Sequence, residues 1–441
     1  MQMFTTLPLG EKIKQMRISK GVSQESVAQA LCYSKATISR LEGGQTELSG
    51  ETLDDIKKFL EIENAPLYEH ELRAFRRRLL VANEYIDEDR ISEAADALKE
   101  LSVISIMPFE EDVYKLYNMV SIRLLLKEHK DSDAKELLDS AKLTPNASTE
   151  VQHLFYRNKG TAIIANDIWD RDKALSGLSY FQKANEVGPG DLKPDPALFV
   201  QLGSAYLRLC KPIRAVLNFE QALIAYGDKH CNIDYIIHCK IALADCLIFI
   251  HEFSRAKKLV DKVLEQTLNT QYKYYYGIAL AQMGLILRKT GNPKEGLTYA
   301  MQSINYANDD GRLTQDHHTY LAIYGVLAEY LLDMKEYEGY NQLISEGKRI
   351  AQGHEAHTIA WEASGKLINL YDKNSIDYIE NTAIPYLKSS KDIYLMANAL
   401  NLCNKLIAHY KKRASSNKAN AVAAIAYELF RDIVCGPDDI E

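Results

Sequence analysis

Small side chains return along this chain at an interval of about forty residues, a period that marks a repeat array. Gly160, Gly203, Ala244, Gly284 and Ala328 stand 43, 41, 40 and 44 residues apart. A second series, Ala134, Ala174, Ala215, Ala256 and Gly296, is spaced 40, 41, 41 and 40. Its members follow those of the first by 12 to 14 residues, so each unit reads as two helices pressed together where neither carries bulk. A stack of such units has no upper length, and 441 residues therefore need not be divided into two to four globular cores.

Composition agrees with a folded chain: 46% of residues are apolar and 26% charged, enough to bury a core and too balanced for wholesale disorder. The longest apolar stretch, Ile241 to Ile250, is broken by Asp245 and is too short to cross a bilayer, so no membrane partner is expected. Met1 to Leu9 has no basic residue ahead of a short apolar run, which predicts no cleaved signal and a cytoplasmic protein. Cysteines 32, 210, 231, 239, 246, 403 and 435 form no C-x-x-C pair, which argues against a disulfide framework or a zinc ribbon. Cys239 and Cys246 share one predicted helical face and read as small buried hydrophobes. The net charge of −7 is unevenly placed: residues 1–46 carry +3, leaving −10 on the remainder. A basic head on an acidic body suits a nucleic-acid-binding module joined to something that does not bind nucleic acid.

Within the head, residues 1–63, Leu9, Ile13 and Met16 recur at helical spacing and stop before Gly21. Ser23 can cap a second helix bearing Val27, Ala28 and Leu31, and Ser34 a third with Ile38 and Leu41 inside, ended by Gly43-Gly44. A fourth, Glu51 to Leu60, buries Leu53, Ile56 and Leu60. Four short helices, the second and third joined by a tight turn, are the layout of a helix-turn-helix domain.

The run LGEKIKQMRISKGVSQESVAQALCYSKATISRLEGG resembles the helix-turn-helix of the Cro/repressor, or XRE, class, through Arg17, Ser23-Gln24, Ile38-Ser39-Arg40-Leu41 and Glu42-Gly43 in one register. That resemblance implies an ion pair between Arg17 and Glu42 and a phosphate contact from Gln24. It also implies a groove-facing set of Ser34, Lys35, Ala36, Thr37 and Arg40 on the recognition helix. Independently, Lys or Arg near the start of such a helix can bind guanine O6 and N7, and Ala can pack on a thymine methyl.

The segment 64–90 breaks at Asn64-Ala65-Pro66 and then reads as one amphipathic linking helix from Leu67. Arg73, Arg76, Arg77 and Arg78 on it either touch phosphates flanking the head or pair with Glu69, Glu71 and Glu84.

In the body, residues 91–441, the clearest copies are LGSAYLRLCKPIRAVLNFEQAL (202–223) and MGLILRKTGNPKEGLTYAMQSI (283–304), which resemble tetratricopeptide repeats. About seven helix pairs and a capping pair, Lys391 to Tyr410 and Asn417 to Val434, are expected. The expected fold is thus all-α, a helix-turn-helix domain joined by a helix to a right-handed tetratricopeptide-like superhelix. The first helix of each pair would line a concave wall. Offsets from the small residues select Arg157, Asn158 and Thr161, then Val200, Gln201 and Ser204, then Ile241 and Asp245, Ala281 and Gln282, and Gly325 and Glu329. Amide side chains there offer one acceptor and two donors to an extended peptide.

Gly291 to Thr298 superficially imitates a phosphate loop, yet Leu297 stands where the lysine must be, and no strand precedes it. His354 with His357, and His317-His318, lack a further ligand, and no metal or other cofactor is expected. Nor can a nucleophile, base and orienting group be assembled, so no enzyme is predicted.

Head, connecting helix and repeats together resemble the Rap–Rgg–NprR–PlcR–PrgX (RRNPP) group of bacterial regulators, and in length and repeat number most of all the NprR branch. The resemblance implies a cytoplasmic regulator of transcription that binds double-stranded DNA, is switched by a short signalling peptide held in the groove, and acts as a homodimer or higher homo-oligomer. A different reading stays open: a protein-interaction adaptor whose repeats bind a response regulator or another protein.

Overall fold

Serine hydroxyls start three of the four helices of the N-terminal domain. In the computed structural model, which describes residues 8–47, 49–63, 65, 68–102, 111–165, 171–192, 195–227, 233–270, 272–309, 317–390 and 392–435, every regular element is a helix. The domain comprises α1 (Leu9–Ser19), α2 (Gln24–Ala30), α3 (Lys35–Glu42) and α4 (Gly50–Phe59). Ser23, Ser34 and Ser49 accept the backbone N–H of Ser26, Thr37 and Thr52 at 3.0, 3.1 and 3.2 Å, each satisfying a donor that the first helical turn leaves open. Ile13, Met16, Val27, Ala28, Ile38, Leu41, Leu53, Ile56 and Leu60 close the core of this domain.

The helix over the connecting segment, α5 (Glu69–Asp87), does more than link. Phe75, Leu79, Ala82 and Ile86 on it share one core with α6 (Ile91–Ser102), α7 (Glu111–Lys127), α8 (Asp131–Ser140) and α9 (Thr149–Ala165). It is the first helix of the first pair. Asn64, Pro66 and Leu67 lie outside the described residues.

The chain then continues through α10 (Arg171–Val187), α11 (Pro196–Arg208), α12 (Pro212–Tyr226), α13 (Ile233–Phe249), α14 (Phe253–Thr267), α15 (Lys273–Lys289), α16 (Pro293–Asp309), α17 (His317–Met334) and α18 (Tyr337–Ile350). Next come α19 (Glu355–Lys366), two short helices, α20 (Lys373–Tyr378) and α21 (Ile384–Ser389), and a last pair, α22 (Ile393–Lys412) and α23 (Ser416–Cys435). Two compact units result. One contains residues 1–166 and 180–195, the other 167–179 and 196–441.

The small residues do what their spacing predicts. Ala134, Ala215 and Ala256 are 0% exposed and Ala174 is 2% exposed, each on the second helix of a pair. A methyl group on Gly203 of α11 would come within 2.8 Å of the Phe219 ring on α12, a distance carbon atoms do not tolerate. On Gly284 of α15 it would meet the Gly296 carbonyl oxygen of α16 at 3.1 Å, and the Gly284 carbonyl accepts the Tyr330 hydroxyl of α17 at 2.7 Å.

A second repeating device ends the first helices. Asp89, His129, Cys210, His251, Gly291 and Lys335 adopt φ between 58° and 92°. The N–H that follows each one reaches back five residues, as from Lys211 to the Tyr206 carbonyl at 2.9 Å and from Glu252 to that of Leu247 at 2.8 Å. These are Schellman turns, which satisfy the open carbonyls of a helix end. Only Gly291 among these six is glycine, so the sequence carried little sign of them.

Candidate functional site

The head presents its recognition helix from a locked frame. Glu42, at the end of α3, is 3% exposed and accepts Arg17 Nε at 2.6 Å, Arg17 Nη2 at 2.9 Å and Gln24 Nε2 at 2.7 Å. Arg17 Nη1 donates in addition to the Val22 carbonyl at 2.8 Å. One bidentate pair thus ties α1 to α3, while the Gln24 amide ties in the start of α2. An amide carries two N–H donors, so Gln24 keeps a second one while Glu42 holds the first.

On α3 itself, Ser34 is the cap residue, its hydroxyl also lying 2.8 Å from that of Thr37. Lys35, Ala36 and Arg40 are exposed and Thr37 is half-buried. Lys35 stands 3.5 Å from Glu25, and Arg40 Nε lies 3.3 Å from the Ala36 carbonyl. Both contacts are solvent-facing and weak, leaving two exposed cations on α3 over a buried core.

Carboxylates hold most of the α5 arginines. Arg73 pairs with Glu69, Arg78 with Glu100 at 2.6 Å, and Arg76 with Glu150 and Asp191, both at 2.9 Å. Glu69 is the one partner that nearness in sequence suggested. Glu71 instead accepts the Tyr68 N–H at 2.9 Å and helps cap α5.

The candidate ligand residues of the repeats divide by burial. Asn158 is 1% exposed and donates to the Met119 carbonyl of α7 at 2.8 Å; Gln282 is 5% exposed and donates to the Ile241 carbonyl of α13 at 3.0 Å and to Asp245 at 2.7 Å. Each amide reaches a backbone carbonyl on the preceding first helix. The offset rule therefore selected positions that join neighbouring units rather than an open wall at these two places. Arg157, also buried, pairs with Asp195 at 2.8 Å, and the Thr161 hydroxyl donates to the Arg157 carbonyl at 3.0 Å. Gln201, Ser204, Asp245 and Glu329 are half-buried, with Glu329 paired to Arg288.

In the unit that holds Asn158 and Arg157, the offsets passed over two further buried polar residues, Arg123 and His153. Arg123 of α7 donates to Asn83 at 2.5 Å and pairs with Asp87 on α5. His153 lies 2.9 Å from the Ala184 carbonyl through Nδ1 and 3.7 Å from Asp195 through Nε2. Burial works against the Asp195 charge, yet Arg157 first and then His153 hold its carboxyl well below the usual carboxylate range. Arg123 and His153 escaped notice because each pairs with a residue about forty positions away, which no local pattern reveals.

Among the described residues no group of three or more His, Cys, Asp or Glu has the arrangement of a metal site, and no helix is long and apolar enough to cross a membrane. Gly291 and Asn292 lie in the turn from α15 into α16, and Pro293 to Thr298 are the first turns of α16. His317 and His318 lie among residues whose side chains are outside the described set.

Fold and head together define a helix-turn-helix protein with a tetratricopeptide-like helical body. Residues 13–63 match the Helix-turn-helix family. No curated protein matches the sequence. Among solved structures, the chain is similar to the apo form of the quorum sensor NprR from B. thuringiensis, at 18% identity and a TM-score of 0.63, covering 82% of this chain and 99% of that one. It is similar to NprR in complex with its cognate peptide NprX, at 18% identity and a TM-score of 0.58 over 81% and 99% of the two chains. A Rap protein complexed with Competence and Sporulation Factor follows at 13% identity and 0.59, over 82% and 99%. In fold, the chain is therefore similar to these proteins over about four fifths of its length.

Proposed function

We propose that this protein is a DNA-binding regulator of transcription whose head reads double-stranded DNA and whose repeats take a short signalling peptide that changes how the head engages its operator. The observation that carries the reading is the pair of exposed cations, Lys35 and Arg40, on a helix whose frame is locked by buried Glu42. Ser34, Ala36 and Thr37 would complete the groove-facing set, with Arg40 or Lys35 binding guanine and Gln24 a phosphate. A homodimer or higher homo-oligomer would present two such heads to paired half-sites.

The fold shared with peptide-bound NprR supports a peptide as effector. Along the repeats the half-buried Gln201, Ser204 and Glu329 are better placed to meet it than Asn158 or Gln282, whereas Arg157, Thr161 and Asp245 are engaged by Asp195, the Arg157 carbonyl and Gln282. The second reading, an adaptor that binds a response regulator or other protein through its repeats, is supported by the fold shared with Rap and by exposed Ile213, Leu217 and Ile224 along α12. The test is selection of bound fragments from a random duplex library by the full chain. An enriched, salt-robust sequence that the Arg40→Ala chain no longer enriches supports the first reading. Retention without sequence preference favours the second.

A further inference from the structure

In a stack of repeats each unit touches only its neighbours, and α22 departs from that rule. It packs beside α19, α21 and α23, and individual side chains on it also reach residues far earlier in the chain, while α23 packs on α12. The Met396 sulfur lies 3.6 Å from that of Cys210, 186 residues away, at the turn ending α11. Asp392 caps α22 by accepting the N–H groups of Tyr394 and Leu395 at 2.9 and 3.0 Å, and it faces Arg208 near the same turn. The Tyr394 ring meets Phe249 edge-on at 5.5 Å, and its hydroxyl donates to Asp245, both on α13. Further along, Lys405 pairs with Asp333 at the end of α17, which Arg288 of α15 also holds at 2.6 Å. From α23, Phe430 stands 5.5 Å from His251, at the turn into α14.

These contacts share a character. They fall at or near the turn ends of first helices, and charged or hydroxyl pairs (Asp392 with Arg208, Tyr394 with Asp245, Lys405 with Asp333) stand beside sulfur and ring contacts. Interfaces of that kind resemble transient contacts between domains, whose relative motion is the default. Buried charge also stabilises weakly, because desolvation offsets the attraction. Asp245 bears such a cost, since burial outweighs its hydrogen bonds from Gln282 and Tyr394.

We propose that α22 and α23 form a reversible clasp on the turn ends of α11, α13 and α17, which opens as one unit and uncovers Cys210 and the Asp245–Gln282 pair. Closed, the clasp joins the last helix pair to units some 150 to 190 residues earlier and limits how far the intervening repeats can rotate. Open, it leaves α11 to α18 without these long-range contacts, free to sum small rotations over several units. The inference stands on these contacts alone and is independent of what the head or the repeats bind.

Thiol reactivity of the full-length chain tests it. Cys210 is 0% exposed and lies under Met396, whereas Cys239 is 0% exposed inside the α12–α13 contact, donating to the Phe219 carbonyl at 3.3 Å. Alkylation by iodoacetamide, read residue by residue by mass spectrometry, should proceed at least about tenfold faster at Cys210 than at Cys239, because opening the clasp requires less than global unfolding. Tyr394→Phe removes the hydroxyl and keeps the ring, and Lys405→Glu sets like charge against Asp333. Each should raise Cys210 labelling severalfold with Cys239 unchanged, although Lys405 lies far along α22 from Met396. Equal labelling of the two thiols in the wild type would overturn the clasp. So would variants that leave Cys210 unchanged, or that accelerate both thiols together.

Discussion

Arg17 and Glu42, 25 residues apart, meet in a bidentate pair of 2.6 and 2.9 Å that is almost closed to solvent, with side-chain exposures of 10% and 2%. An ion pair this buried is costly to break from one side, because the remaining charge stays in the core without its partner. Arg17→Met or Glu42→Gln alone should lower the stability of the head by about 3–5 kcal/mol, and the double variant by much less than the sum. Thermal or urea unfolding across that double-mutant cycle checks it. Additive losses would remove the pair from any account of the head.

Glu42 also holds Gln24, so two changes on the head should separate frame from readout. Arg40→Ala should cost about 1–3 kcal/mol of specific binding and relax selectivity at one base pair. Gln24→Ala should weaken every duplex alike, since phosphate contacts carry no base identity. Fluorescence anisotropy at one salt concentration distinguishes them. An Arg40 variant with unaltered affinity and selectivity removes that residue from the interface.

Asn158 joins α9 to α7 through the Met119 carbonyl. Asn158→Ala should therefore lower stability by about 1–3 kcal/mol, the cost of leaving a buried acceptor short of its donor. Urea unfolding reads this without any ligand. An unchanged midpoint and slope would show that the amide is not a structural bond and return it to the set of ligand-facing residues.

Asp245 gives a pH dependence with a definite sign. Burial pushes its carboxyl up to about 6, whereas an unfolded aspartate releases its proton near 4. Between those values the folded chain binds more protons than the unfolded one. Stability from this group is therefore full below about pH 4 and lost as pH rises through about 6. His357, pushed down to about 4 by burial and by His354, acts in the opposite sense over an overlapping range. The wild type must therefore be compared with Asp245→Asn. The advantage of the variant should grow from about pH 4 to 6 and then level off. A gap that is flat with pH would mean that Asp245 titrates as an ordinary exposed carboxyl.

The sequence by itself determined the features that depend on residues close together or at a fixed period. Ser23 and Ser34 cap helices because a hydroxyl just before a helix meets an N–H two or three residues on, a strictly local event. Gly203 and Ala215, twelve residues apart, announce a helix pair because close packing of two cylinders requires small side chains at the crossing. Only the tertiary structure decided which polar groups remain open to solvent. Asn158 and Gln282 look like free amides in sequence, and they are turned to carbonyls 39 and 41 residues earlier, because a buried backbone acceptor on a neighbouring helix competes for their donors. The partners of Arg76, the network of Arg123 and His153, and the seat of Tyr394 on Asp245 likewise join positions whose separation carries no local signal. Such contacts follow from how the units stack, since the angle between helix pairs sets which distant side chains come within hydrogen-bond reach.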